Sequence, residues 1–239
     1  MRSSSTGFLG VLMLDTRFPR PPGDIGNEET FRRAGIPVRF VTVAGASPQR
    51  IVREADPALL QPFVDAAQAM VAEGAAMIST SCGFLAAYQD ALSKAVPVPV
   101  LTSSLLQCSQ FRRPGIVTFD AAALGQHILD AAGVPAATPV AGVEPGCEFH
   151  TQILNNRAEM DLVEAQRNVV AAAMRLVTAH PEVEDIVLEC TNMPPYRAAV
   201  AKATGRRVHD VETLLVSAWR ALAAGKAPNA AMDAGSSPA

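Results

Sequence analysis

The chain has 239 residues, 49% of them hydrophobic, and a formal net charge of −3 from 20 Lys+Arg against 23 Asp+Glu. That length and apolar content allow one large domain or two small ones, and a near-balanced charge without a long basic run argues against nucleic acid and anionic membrane as main partners. No apolar stretch is long enough to span a bilayer, and four cysteines, too sparse for a disulfide scaffold, predict reduced thiols in a cytoplasmic protein.

Residues 7–14 form an apolar run too short for a signal peptide and without a clear small-residue cleavage site, so they read as a first buried strand. The segment from Asp15 through Arg20, Gly23 and Asp24 to Asn27 is dense in turn formers and predicts an ordered loop over a site. Residues 38–43 read as a strand, 57–73 as a helix closed by Gly74, and 76–79 as a third strand. A helix over 84–94 and a strand over 98–101 complete the first half. The second half restarts at Pro114-Gly115 with a strand over 115–119, a helix over 124–132 ended by Gly133, and a strand over 140–143. A long amphipathic pattern covers 160–179 and stops at His180-Pro181. A strand over 186–188 follows, then a helix opened by Pro194 and Pro195 and closed at Thr204-Gly205, a short strand near Val208, and a helix over 211–223. The tail from Ala223, rich in Ala, Gly, Ser and Pro, is expected to fray. This β/α alternation with buried strands predicts parallel sheets.

Two cysteine contexts, Met77-Ile78-Ser79-Thr80-Ser81-Cys82 and Asp185-Ile186-Val187-Leu188-Glu189-Cys190, lie 108 positions apart. The same shift superposes Ile78 on Ile186, Tyr88 on Tyr196, Ala91 on Ala199, Lys94 on Lys202, Val100 on Val208 and Leu106 on Leu214. An internal repeat is therefore predicted: a first lobe over 1–112 carrying Cys82, a second over 113–210 carrying Cys190, and a segment over 211–239 whose helix returns toward the first lobe. Each cysteine falls where a strand ends and a helix begins, the edge at which open α/β sheets bind ligands. Helix N-termini there hold carboxylates and lower thiol pKa values.

Cys190-Thr191-Asn192-Met193-Pro194 after a strand, with a distant partner in Cys82 and Asp15-Thr16 after strand one, resembles the aspartate/glutamate/hydantoin racemase superfamily. The resemblance covers nearly the whole chain in plan. It implies two pseudo-symmetric, flavodoxin-like parallel-sheet lobes with the site in the cleft between them. It also implies cofactor-independent chemistry in which Cys82 and Cys190 act as base and acid on opposite faces of a substrate α-carbon. Asp15 then lies beside the substrate amino group, and Thr191 helps to hold the carboxylate. Thr16, Arg17, Gly83, Phe84 and Asn192 complete the expected binding set. Cys82-Gly83-Phe84 departs from the Cys-Asn-Thr of acidic-amino-acid racemases, and Asn192 stands where His or Glu is common, so free glutamate is not the expected substrate.

Other candidates carry less. Cys108, among Leu105, Leu106 and Phe111, reads as buried packing. Cys147 and His150 have a ligand-like spacing but no second pair to complete a zinc site, and no metal is expected; Glu148 and His150 reach the cleft only from a loop. His127, His180 and His209 show no nucleophile or metal context, and Arg17 and Arg20 read equally as carboxylate clamps and as solvated loop residues. No phosphate loop or dinucleotide fingerprint is present. The expected function is a racemase or epimerase of a small carboxylic acid, with homo-oligomerisation left open. The alternatives within the superfamily are a maleate-type cis-trans isomerase and a malonate decarboxylase, the latter type keeping only the second cysteine. A non-catalytic metabolite-binding protein is the alternative of another class.

Overall fold

The computed structural model describes residues 7–226. Most of the tail expected to fray lies outside the described residues. The first sheet contains β1 (Phe8–Leu14), β2 (Val38–Val43), β3 (Ala75–Thr80) and β4 (Val100–Leu101) in the order β2-β1-β3-β4. The second contains β5 (Pro114–Thr118), β6 (Val140–Gly142), β7 (Asp185–Leu188) and β8 (Arg207–His209) in the order β6-β5-β7-β8. All strand pairs are parallel. Two sheets of one order and one sense are the two pseudo-symmetric lobes of a flavodoxin-like plan. The repeat holds at the level of single residues: Ile78 is in register with Val100, and Ile186 with Val208.

The strands form where the sequence is continuously apolar. Every residue of β1 is buried, as a central parallel strand covered on both faces requires. β2 lies at an edge and leaves Arg39 and Phe40 exposed. The helices are α1 (Glu28–Arg32), α2 (Leu60–Ala72), α3 (Gln89–Ala95), α4 (Gln126–Ala131), α5 (Glu148–Leu154), α6 (Leu162–Ala179), α7 (Arg197–Thr204) and α8 (Val211–Ala223). Asp161 caps α6 by accepting from the Val163 and Glu164 N–H groups, and Asp210 forms a capping box with Thr213 on α8; each cap is worth about 1 kcal/mol. Gly205 ends α7 at φ +66°, a left-handed turn that a side chain would strain.

The lobes are interlocked by exchanged elements. α8 buries Val211, Leu214, Leu215 and Trp219 with Leu9, Val11, Met13 and Met77 of the first lobe, while the 3₁₀ segment Ser104–Gln110 packs on β7 of the second. Three details differ from the sequence reading. The helices after Cys82 and in the Pro194-Pro195 segment begin as 3₁₀ turns, Gly83–Tyr88 and Pro194–Tyr196, before becoming α-helical. The Glu148–His150 region, read as loop, is the start of α5, whose Phe149 is fully buried. α1 has only five residues and escapes a 3.6-residue pattern; Asn27 caps it. No helix among the described residues is long and apolar enough to cross a membrane.

Candidate functional site

The sheets place their C-terminal edges against one another, and the loops leaving β3 and β7 meet there. Cys82 is extended, at φ −151°, and stands directly before the 3₁₀ turn Gly83–Tyr88. Cys190 follows β7 and donates from Sγ to Asn192 Oδ1 at 3.6 Å. Thr191 Oγ1 donates to the Ser81 carbonyl at 2.7 Å, joining the two cysteine loops directly. Ser104 Oγ donates to the Leu188 carbonyl at 2.7 Å, and Ser81 Oγ accepts from the Leu14 N–H at 2.8 Å. These buried bonds fix the two loops as one unit.

Cys82, Gly83, Phe84, Cys190, Thr191 and Asn192 line a single cavity of about 20 Å³, together with Leu14, Phe18, Val52, Phe119, Ile153 and Glu189. That space accepts one water at most, so a larger ligand requires the walls to part. Val52 and Phe84 also line a neighbouring apolar chamber of about 260 Å³, which makes them the partition between the two spaces.

Asp15, Thr16 and Arg17 do not line the cavity. The Asp15 and Arg17 side chains are exposed. The backbone of these two residues is tied to Asn156 of the other lobe, through Arg17 N–H to Oδ1 at 2.6 Å and Nδ2 to the Asp15 carbonyl at 3.2 Å. Thr16 Oγ1 accepts from Arg20, which also pairs with Asp24 at 2.8 Å. Thus Arg20 organises its own loop. The loop reaches the cavity through Phe18, and fully buried Asp24 accepts from Asn192 Nδ2 at 2.6 Å.

Both thiols are held neutral. Burial pushes Cys82 up to about 12, nearby Glu189 adds to the effect, and the Phe84 and Leu85 N–H groups pull the other way without prevailing. Burial likewise raises Cys190 well above the ordinary thiol value, with Glu189 and Cys82 adding to it. The helix-terminus lowering expected from sequence is therefore present in direction but outweighed by desolvation. Cys108 is fully buried, as its apolar neighbours suggested.

Sequence reasoning missed Glu189. It is 1% exposed, and burial raises its carboxyl to about 7. Thr118 Oγ1 donates to Oε2 at 2.7 Å, whereas Oε1 is buried with no partner. Gly83 makes room for it: a Cβ there would lie 2.1 Å from Oε1 and 2.4 Å from the Glu189 carbonyl oxygen. The available signal was a carboxylate ending the apolar run Ile186-Val187-Leu188, beside one cysteine, with a glycine beside the other. A second group, of which the sequence offered only His150, bridges the lobes nearby. Arg53 pairs with Asp120 at 2.5 Å, and His150, stacked on Phe119 at 5.0 Å, faces both. Among the described residues no three His, Cys, Asp or Glu side chains converge as a metal site.

No family model matches the sequence. The chain is similar to a dimethylsulfoniopropionate lyase of Durusdinium sp. clade D, at 26% identity over 217 residues, 84% of this chain and 70% of the relative. It is also similar to dimethylsulfoniopropionate lyase 7 of Emiliania huxleyi, at 31% identity over 231 residues, 86% of this chain and 64% of the relative. Against lyases 6 and 5 of that organism, the chain spans 56% and 44% of the relative's length. Among solved structures, allantoin racemase from Pseudomonas fluorescens superposes with a TM-score of 0.58 at 15% identity, covering 97% of this chain and 99% of that one. Arylmalonate decarboxylase superposes with a TM-score of 0.55 at 17% identity, covering 95% and 94%. With two parallel four-stranded lobes, a cysteine at the inner edge of each and these neighbours over nearly its whole length, the chain has the fold of the aspartate/glutamate/hydantoin racemase superfamily.

Proposed function

We propose that this chain is a cofactor-independent lyase that removes the α-proton of a small carboxylate bearing a cationic leaving group on the β-carbon, with dimethylsulfoniopropionate as the substrate to test first. The observation that carries this reading is the cavity itself. Its lining brings together two cysteines, one from each lobe, aromatic walls in Phe18, Phe84 and Phe119, and no Lys, Arg or His. A sulfonium group suits such walls through cation–π attraction. The similarity to dimethylsulfoniopropionate lyases over more than four fifths of the chain supports the same substrate class.

The sulfonium end of this zwitterionic substrate also bears on the high thiol pKa. A unit positive charge about 5 Å from a thiolate, at an effective dielectric near 20, is worth roughly 3 kcal/mol, or about two pKa units. A sulfonium seated nearer the sulfur than the substrate carboxylate is thereby favours ionisation of that cysteine. That thiolate takes the α-hydrogen, the released electron pair forms the Cα–Cβ double bond, and the Cβ–S bond breaks with its pair on sulfur. The products are acrylate and neutral dimethyl sulfide, and the proton on cysteine later passes to water.

Racemisation remains a second reading because Cys82 and Cys190 are repeat-related and line one cavity. Both reactions begin with the same proton abstraction. They part only where the carbanion meets a β-leaving group or a second proton donor. The test is headspace chromatography of dimethyl sulfide from the wild type and from Cys82→Ser and Cys190→Ser, beside polarimetry of allantoin and aspartate in deuterium oxide. The lyase reading expects dimethyl sulfide from the wild type and a loss of at least a hundredfold in at least one variant. Optical inversion without dimethyl sulfide release would replace it with racemisation.

A further inference from the structure

We propose that Glu189 receives the substrate carboxylate, donating a hydrogen bond to it from Oε1. This rests on the reading above only in that the ligand is a carboxylate. Thr118 Oγ1 donates to Glu189 Oε2 at 2.7 Å and itself accepts from the Asp120 N–H at 3.4 Å. With Oε2 engaged as that acceptor, the proton of the neutral acid belongs on Oε1; burial favours the neutral form, and the Thr118 bond pulls the other way. Oε1 is buried without a partner, so a donor there is left unmatched by protein groups.

The cavity lining gives an entering anion no charged donor. It lacks Lys, Arg and His, and the Thr191 hydroxyl is engaged with the Ser81 carbonyl. Glu189 occupies the wall between Cys82 and Cys190, and in its ionised form it raises both thiols further. The side chain fits there because residue 83 is glycine, and the Glu189 carboxyl fills the space a Cβ at 83 would take. A neutral acid that donates to a carboxylate also withdraws charge from it, which eases removal of the α-proton. An apolar pocket that keeps a carboxylic acid protonated for such a purpose has precedent in enzyme sites.

The donor disappears when Glu189 ionises, at about 7. The titratable and charged groups around it are Cys82 on the facing lobe and Cys190 on its own segment. Asp120 with Arg53 and His150 lies beyond Thr118, and Asp24 with Arg20 beyond Asn192. Ionised Glu189 would repel a carboxylate in the same cavity.

The experiment is a titration of the intact chain with propionate, a carboxylate that cannot eliminate, by saturation-transfer NMR between pH 6 and pH 8. The wild type is expected to bind roughly tenfold more weakly at pH 8, following the neutral fraction of a carboxyl that titrates at about 7. In Glu189→Gln, the amide donates without titrating, so the Kd should lie near the wild-type pH 6 value and not vary with pH. A wild-type Kd independent of pH overturns the proposal, as does absence of propionate binding at pH 6 or a Glu189→Gln variant with the wild-type pH dependence. The wild-type series stands even if the variant fails to fold. Propionate binding as expected without dimethyl sulfide release would retain this role and sink the lyase reading. Dimethyl sulfide release with pH-independent propionate binding would do the opposite.

Discussion

Replacing Glu189 by glutamine should change how stability depends on pH, by an amount fixed by where the carboxyl sits. Burial raises Glu189 from the ordinary 4.5 to about 7. Between those values the native chain keeps a proton that the unfolded chain has released, so stability is fully present below 4.5 and is lost as pH rises to about 7. At roughly 1.4 kcal/mol per pH unit the whole loss is about 3 kcal/mol. From pH 5 to pH 8 it amounts to about 2.5 kcal/mol, because part has already been incurred at pH 5. Glutamine fills the same volume and accepts from Thr118 but does not ionise. Urea unfolding of both proteins at pH 5, 6, 7 and 8 gives the difference directly, with all other titrating groups cancelling. The wild type should lose about 2.5 kcal/mol relative to Glu189→Gln over that range, roughly 5–10 °C in Tm for a chain of this size. A difference that does not vary with pH would mean that Glu189 is ionised throughout or that its site is wetter than its 1% exposure indicates.

Two further outcomes follow from the same contacts. Gly83→Ala should cost about 1–3 kcal/mol in urea unfolding, and most of that cost should persist in a Glu189→Ala background, because the new Cβ still meets the Glu189 backbone oxygen at 2.4 Å; full rescue by Glu189→Ala would show that only the carboxyl was in the way. Alkylation by iodoacetamide at pH 8, followed by peptide mass spectrometry, should be far slower at Cys82 and Cys108 than for free cysteine, since burial puts both at about 12. Reaction at Cys82 as fast as free cysteine would show a thiolate-stabilising site in the ligand-free protein.

The sequence by itself determined the plan. Ile78 and Ile186, Val100 and Val208, spaced alike, report paired strands because strand register places equivalent residues at equivalent neighbours. The position of each cysteine at a strand end was legible for the same reason, since buried parallel strands are continuous apolar runs with sharp ends. The loop after β1 was legible as ordered but not in its contacts. Turn-forming residues announce the loop, whereas the burial of Asp24 against Asn192 requires the other lobe. The elimination and inversion proposed above start from the same step at the same cysteines, so residue types at strand ends do not separate them. Glu189 depended wholly on tertiary structure. Beside Cys190 in sequence it is one carboxylate among many, and its carboxyl rises to about 7 only because packing against Gly83 of the other lobe buries it, while the Thr118 hydroxyl, 71 positions away, pulls the other way. The thiols follow the same rule: local N–H groups favour the thiolate, but the closing of two lobes over them removes water, and desolvation, a property of the whole packing, prevails.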